Sequence, residues 1–133
     1  MWYTIKVDQC QPMIEEYFKI AYPICLSIPR QKRHVSLIFY KKQLISIGTN
    51  SFKTHPQAKK LGYRYDEMHS ELEAYTRLPK QYRGEKLSLV NFRCNRFRQV
   101  RMSKPCSLCL PWCKELFENI IYTTNEGMVS LQY

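Results

Sequence analysis

The chain has 133 residues, 44% of them hydrophobic, and a formal net charge of +10. That length is about one domain, here residues 1–133, and that apolar fraction excludes a disordered tail. No stretch approaches the roughly 18 apolar residues needed to cross a bilayer, and the positive charge favours an anionic partner such as nucleic acid or a nucleotide.

The opening run "MWYTIKVDQCQPM" lacks the apolar core of a signal peptide, so a soluble, cytoplasmic protein is expected. In that setting the six cysteines read as reduced thiols and metal ligands rather than disulfides. Residues 12–27 carry Met13, Ile14, Tyr17, Phe18 and Ala21 at helical spacing, and Pro23 is expected to end or kink that helix. "HVSLIFY" (34–40) and "QLISIGT" (43–49) are β-rich and joined by Lys41–Lys42, the pattern of a hairpin. A polar loop follows over 50–67. "EMHSELEAYTRL" (67–78) predicts a helix that Pro79 stops. "KLSLVNFRC" (86–94) reads as a strand and "CSLCLPWCKELFENI" (106–120) as a helix, although Pro111 sits awkwardly in it. "IIYTT" and "MVSLQY" form a last hairpin across "NEG", where Gly127 supplies a positive φ. The order α, β, β, α, β, α, β, β predicts an α/β fold of one mixed five-stranded sheet. Its last two strands are antiparallel, because three turn residues cannot carry a parallel crossover.

Two thiols three residues apart in "KPCSLC" (104–109) can grip a metal but leave its shell incomplete. Of the three histidines, His69 opens a predicted helix with Glu71 two residues on. The combined pattern is His69-x-Glu71, then Pro105-Cys106-x-x-Cys109, the signature of zinc nucleobase deaminases. Cys106 and Cys109 at i and i+3 share a helix face, and the positive end of a helix favours their thiolates. One nitrogen and two sulfur donors suit zinc. Cys113 is the natural fourth ligand for a closed structural site. Seven residues of regular helix, however, advance about 10.5 Å, whereas two sulfurs on one zinc lie at most about 4.6 Å apart. Cys113 is therefore expected in the core, with Cys10, Cys25 and Cys94.

Motif and element order together resemble the cytidine deaminase superfamily over most of the chain. "SKPC" and "YTTNEG" are similar to small viral and microbial members. The resemblance implies a three-layer α/β/α sandwich and one Zn2+ per chain, held by His69, Cys106 and Cys109. It also implies a fourth coordination position left for water and Glu71 as the catalytic proton carrier. Asn50, at the end of the second strand of the hairpin, falls where the family holds a sugar hydroxyl; an ordinary turn asparagine is the alternative. The loop before the His-x-Glu helix borders the family's pocket, which offers Phe52 for stacking and Lys53 and His55 for a phosphate, or a plain solvated loop. Trp112 is pocket wall or core.

"RCNRFRQVRMSK" (93–104) holds five basic residues and no acid. Arg96, Arg98 and Arg101 interleave with Phe97 and Val100, which suits a single strand with unstacked bases and equally suits a charged strand end. The expected function is a hydrolase that deaminates cytosine to uracil in single-stranded DNA or RNA. A free cytidylate or deoxycytidylate deaminase of nucleotide salvage, an adenine deaminase, and a zinc-bearing nucleic-acid-binding module without catalysis are the alternatives. Substrate tests separate them. The oligomeric state is left open.

Overall fold

The computed structural model describes residues 2–5, 11–29, 32–51, 60 and 69–131. It is a mixed α/β structure. Strands β1 (Trp2–Ile5), β2 (Arg33–Tyr40), β3 (Gln43–Thr49), β4 (Leu87–Cys94), β5 (Phe117–Thr124) and β6 (Gly127–Leu131) form one sheet in the order β1-β6-β5-β4-β2-β3. Among the described strands only the β4–β5 pair is parallel. Among the described residues, α-helices run over Gln11–Ser27 (α1), Ser70–Thr76 (α2) and Leu110–Leu116 (α3). None of the described helices is long and apolar enough to cross a membrane.

Five of these strands are those expected, and the last two are antiparallel as the short turn requires. The sixth, β1, was not anticipated. It pairs with β6, with Trp2 opposite Leu131. A four-residue run whose partner lies at the far end of the chain has no local turn to announce it.

Side chains of successive strand residues point to opposite faces. On β2, Val35, Leu37 and Phe39 join Val90, Phe92 and Cys94 of β4 in a buried cluster with Tyr17, Ala21 and Cys25 of α1. Ile38, Leu87 and Leu89 point the other way. They pack with Leu72 and Ala74 of α2 and Cys109 and Cys113 at the start of and within α3. Tyr17, Ala21 and Cys25 are the buried side of α1, and Ile28 just past its end is buried as well.

Pro23 does not end α1: the helix runs on to Ser27. Pro23 has no N–H to give the Lys19 carbonyl. Both residues lie on the exposed side, where solvent can take that carbonyl's bond, while Cys25 and Ile28 anchor the last turn in the core. Pro111 also fits. The regular helix α3 starts only at Leu110, so Pro111 lies in the first turn, where a missing N–H costs nothing. The expected 106–120 helix is thus shorter than its sequence pattern, and β5 takes over at Phe117.

The topology sets the site. β2 runs against both β3 and β4, so β3 and β4 end at the same edge of the sheet. Each is followed in sequence by a helix. The starts of α2 and α3 therefore come together outside the carboxyl ends of the strands, the usual ligand position of α/β sheets.

Candidate metal centre

The backbone of α2 lies directly on β3 at Gly48. At Gly48 an added Cβ would run into the Ala74 N and the Ser70 carbonyl oxygen, with Ala74 Cα 2.8 Å away. Ser46 Oγ donates to the Ala74 carbonyl at 2.6 Å, and the Thr49 N–H donates to Glu73 Oε1 at 3.1 Å. This seat fixes His69, which is the extended residue capping α2, its carbonyl accepting the Glu73 N–H at 3.0 Å.

On the other side, Cys106 and Cys109 occupy a single turn that leads into α3. The Leu110 N–H bonds the Cys106 carbonyl at 2.8 Å and the Cys113 N–H bonds the Cys109 carbonyl at 3.0 Å. The segment that delivers them is pinned by Ser103. Its Oγ donates to the Asn91 carbonyl at 2.9 Å and accepts the Thr123 N–H at 2.7 Å, while Asn91 Nδ2 donates to the Ser103 carbonyl at 3.1 Å.

The result is a cluster of three metal-ligating atoms. His69 Nδ1 lies 3.4 Å from Cys106 Sγ and 3.5 Å from Cys109 Sγ, and all three lie within 4.8 Å of one another. This His-Cys-Cys group could hold a metal ion. Nδ1 is the ring nitrogen turned to the sulfurs. Cys109 is fully buried and Cys106 exposed. Hydrogen bonding from Cys109, with help from His69, holds the Cys106 thiol down to about 3, so it is a thiolate. Cys113 is buried in the core, where desolvation pushes its thiol up. It stays outside the ligand group, as the axial-rise argument requires.

Glu71 is buried beside this cluster, and burial raises its pKa above the usual carboxylate range. A row of polar side chains leads away from it. Ser70 Oγ lies 3.1 Å from Glu71 Oε1 and 2.8 Å from Ser36 Oγ, which lies 2.7 Å from Asn91 Oδ1. Ser70 Oγ donates to Glu71 Oε1, and Ser36 Oγ donates to Asn91 Oδ1. Sequence reasoning missed Ser36, Ser70, Asn91 and Ser103. The available signal was polarity inside buried strand runs, in "HVSLIFY" and "LSLVNFRC".

The remaining candidates are spread more widely. The Asn50 amide ties down the start of β2: Oδ1 accepts the His34 N–H at 2.9 Å and Nδ2 donates to the Lys32 carbonyl at 3.0 Å. His34 is pushed down to about 4, first by burial and then by Arg93, so its imidazole is neutral near pH 7. Trp112 is half-buried against the α2–α3 side of the core, its ring 6.0 Å from Tyr75. Arg98 is exposed and Arg101 half-buried in the segment leading to the cysteines. Phe52, Lys53 and His55 lie outside the described residues, as does Cys10. Comparison with protein-family models, curated proteins and solved structures finds no match to this chain.

Proposed function

We propose that the chain is a zinc-dependent hydrolase that deaminates cytosine to uracil in single-stranded nucleic acid. One observation carries the reading. A His-Cys-Cys ligand group from two separate helix starts converges beside a buried carboxylate, Glu71, two residues from the histidine. Helices on both faces of a mixed sheet are also what a three-layer, cytidine-deaminase-like sandwich needs.

The donor set fits zinc. A tetrahedral ion with ordinary bond lengths separates a nitrogen and a sulfur ligand by about 3.6 Å. The two His69–cysteine distances, 3.4 and 3.5 Å, are close to that. Two thiolates and a neutral imidazole balance the charge of the ion. Three protein ligands among the described residues leave a position open, the mark of a catalytic rather than a structural site.

Zinc held by His69, Cys106 and Cys109 supplies Lewis-acid activation of water. Glu71 does the proton work. It takes a proton from the attacking water and passes it to N3 of cytosine as the water oxygen bonds to C4. It then moves the remaining hydroxyl proton to the amino group. The C4–N bond breaks, ammonia leaves and the carbonyl of uracil remains. A buried carboxyl with a raised pKa is suited to carry that proton in both directions.

The test is incubation of the zinc-loaded protein with cytosine-bearing single strands and with free cytidylate and deoxycytidylate, measuring uracil. Uracil is expected in the strands. Glu71→Gln should lower its formation by at least about 100-fold, the low end for a general acid–base, with zinc content and melting temperature unchanged. Uracil only from the free nucleotides transfers the reading to nucleotide salvage. No turnover of any substrate with zinc bound removes catalysis and leaves a binding module.

A further inference from the structure

The four large hydrophobic side chains exposed among the described residues are Phe18, Phe97, Met102 and Leu108. Three of them belong to the stretch that leads into and includes the metal-binding cysteines. Phe97 is the most exposed, at 67%. Scattered exposed apolar residues are ordinary on protein surfaces. These three are interspersed with Arg93, Arg96, Arg98, Arg101 and Lys104, with no acid in the same segment.

The loop that presents Phe97 is built to hold it out. β4 ends at Cys94, which bridges to Val100. Between them, Asn95 Oδ1 accepts the N–H groups of Phe97 and Gln99, at 2.9 and 3.0 Å, and Asn95 Nδ2 donates to Gln99 Oε1 at 3.0 Å. Arg98 takes a left-handed φ of 65°, an uncommon conformation for a non-glycine residue, and its carbonyl is tied to α1 by the Tyr22 hydroxyl at 2.9 Å. The Arg101 N–H closes the base of the loop on the Arg93 carbonyl at 2.9 Å. The Arg96 guanidinium lies over the Phe97 ring, 4.9 Å from its centroid.

We infer that the Asn95–Val100 loop is a stacking platform for single-stranded nucleic acid, on which Phe97 holds a base flanking the one delivered to the metal centre. An aromatic ring in a preset position takes any base on its π-face, and the arginines around it meet the phosphates on either side. The occupant is a polyanion with exposed flat rings, because the loop's charged side chains, Arg96 and Arg98, are both cations and its exposed large apolar side chain is an aromatic ring. A duplex keeps its bases stacked on each other and offers the ring nothing. The inference rests on the proposed function only in assigning the neighbouring base to the reaction.

Binding of a labelled oligothymidylate, which contains no cytosine, tests it by fluorescence anisotropy without any turnover. Loss of one base–aromatic stack is worth roughly 5- to 150-fold in affinity. Phe97→Ala should weaken binding by about 10-fold or more and Phe97→Trp should restore it, while duplex DNA binds both forms alike. Because Phe97 lies outside the core, melting temperature serves as the folding control. Equal affinity of wild type and Phe97→Ala for the strand, an equal loss on duplex, or no strand binding at all overturns the inference. Phe97-dependent strand binding without deamination of any substrate leaves the platform standing and removes the catalytic reading. Deamination of cytosine with binding indifferent to Phe97 does the reverse.

Discussion

At the level of single residues, Glu71 depends on its neighbours. The Ser70 hydroxyl donates to it and is itself held by Ser36, whose hydroxyl donates to Asn91. Removing that hydroxyl leaves the carboxyl buried with a bond missing and free to turn. Ser70→Ala should therefore lower kcat for cytosine deamination by about 10-fold with little change in KM, the signature of an interaction made in the transition state. It should also cost about 1–2 kcal/mol of stability in a denaturant titration, the usual penalty for a buried polar group left unmatched. An unchanged kcat would reduce the serine row to a packing device. His69, Cys106 and Cys109 were recognisable as a group in the sequence because ligand chemistry demands particular residue types at particular spacings. Ser36 and Asn91 were not, because an inward-facing polar residue acquires meaning only when the residue across the sheet is known. Asn50 shows the same limit: its position was legible, but not its two bonds to the Lys32–His34 backbone.

At the level of elements, the critical contact is between α2 and β3. Gly48 lets the helix backbone lie directly on the strand, so any side chain there must push the helix away. Gly48→Ala should cost about 3 kcal/mol, the upper part of the range for overpacking, since the atoms in the way are backbone rather than flexible side chain. The displaced helix carries His69, so metal affinity should fall as well; equilibrium dialysis beside the denaturation curve measures both. Strong signals over 34–49 and 86–94 made these strands legible, and the turn at Lys41–Lys42 follows directly, with Lys41 at φ 56°. The extents of α1 and α3 were less legible. A proline's effect on a helix depends on which side faces solvent and on which turn it occupies, and the sequence pattern states neither.

For the molecule as a whole, the metal cluster joins chain segments 37 and 40 residues apart and bridges the starts of two helices on one sheet edge. A ligand that binds only the folded arrangement stabilises it by mass action, by about 4 kcal/mol when free metal exceeds its Kd by 1,000-fold. Stripping the metal with a chelator should lower the unfolding free energy by about that amount, and re-addition of zinc should restore it. Cys109→Ser should abolish most of the difference; a chelator-insensitive wild type would show that the cluster holds no metal in solution. By itself the sequence determined the ligand types, the alternation of helix and strand and the excess of positive charge, because these depend on side-chain chemistry and local periodicity. Only the tertiary structure decided that β3 and β4 end at the same edge, that β1 closes the far side, that Glu71 is buried on a row of hydroxyls and that Phe97 is held outward. Each of these depends on pairing or packing between residues distant in the chain, and local sequence carries no record of which distant partner is chosen.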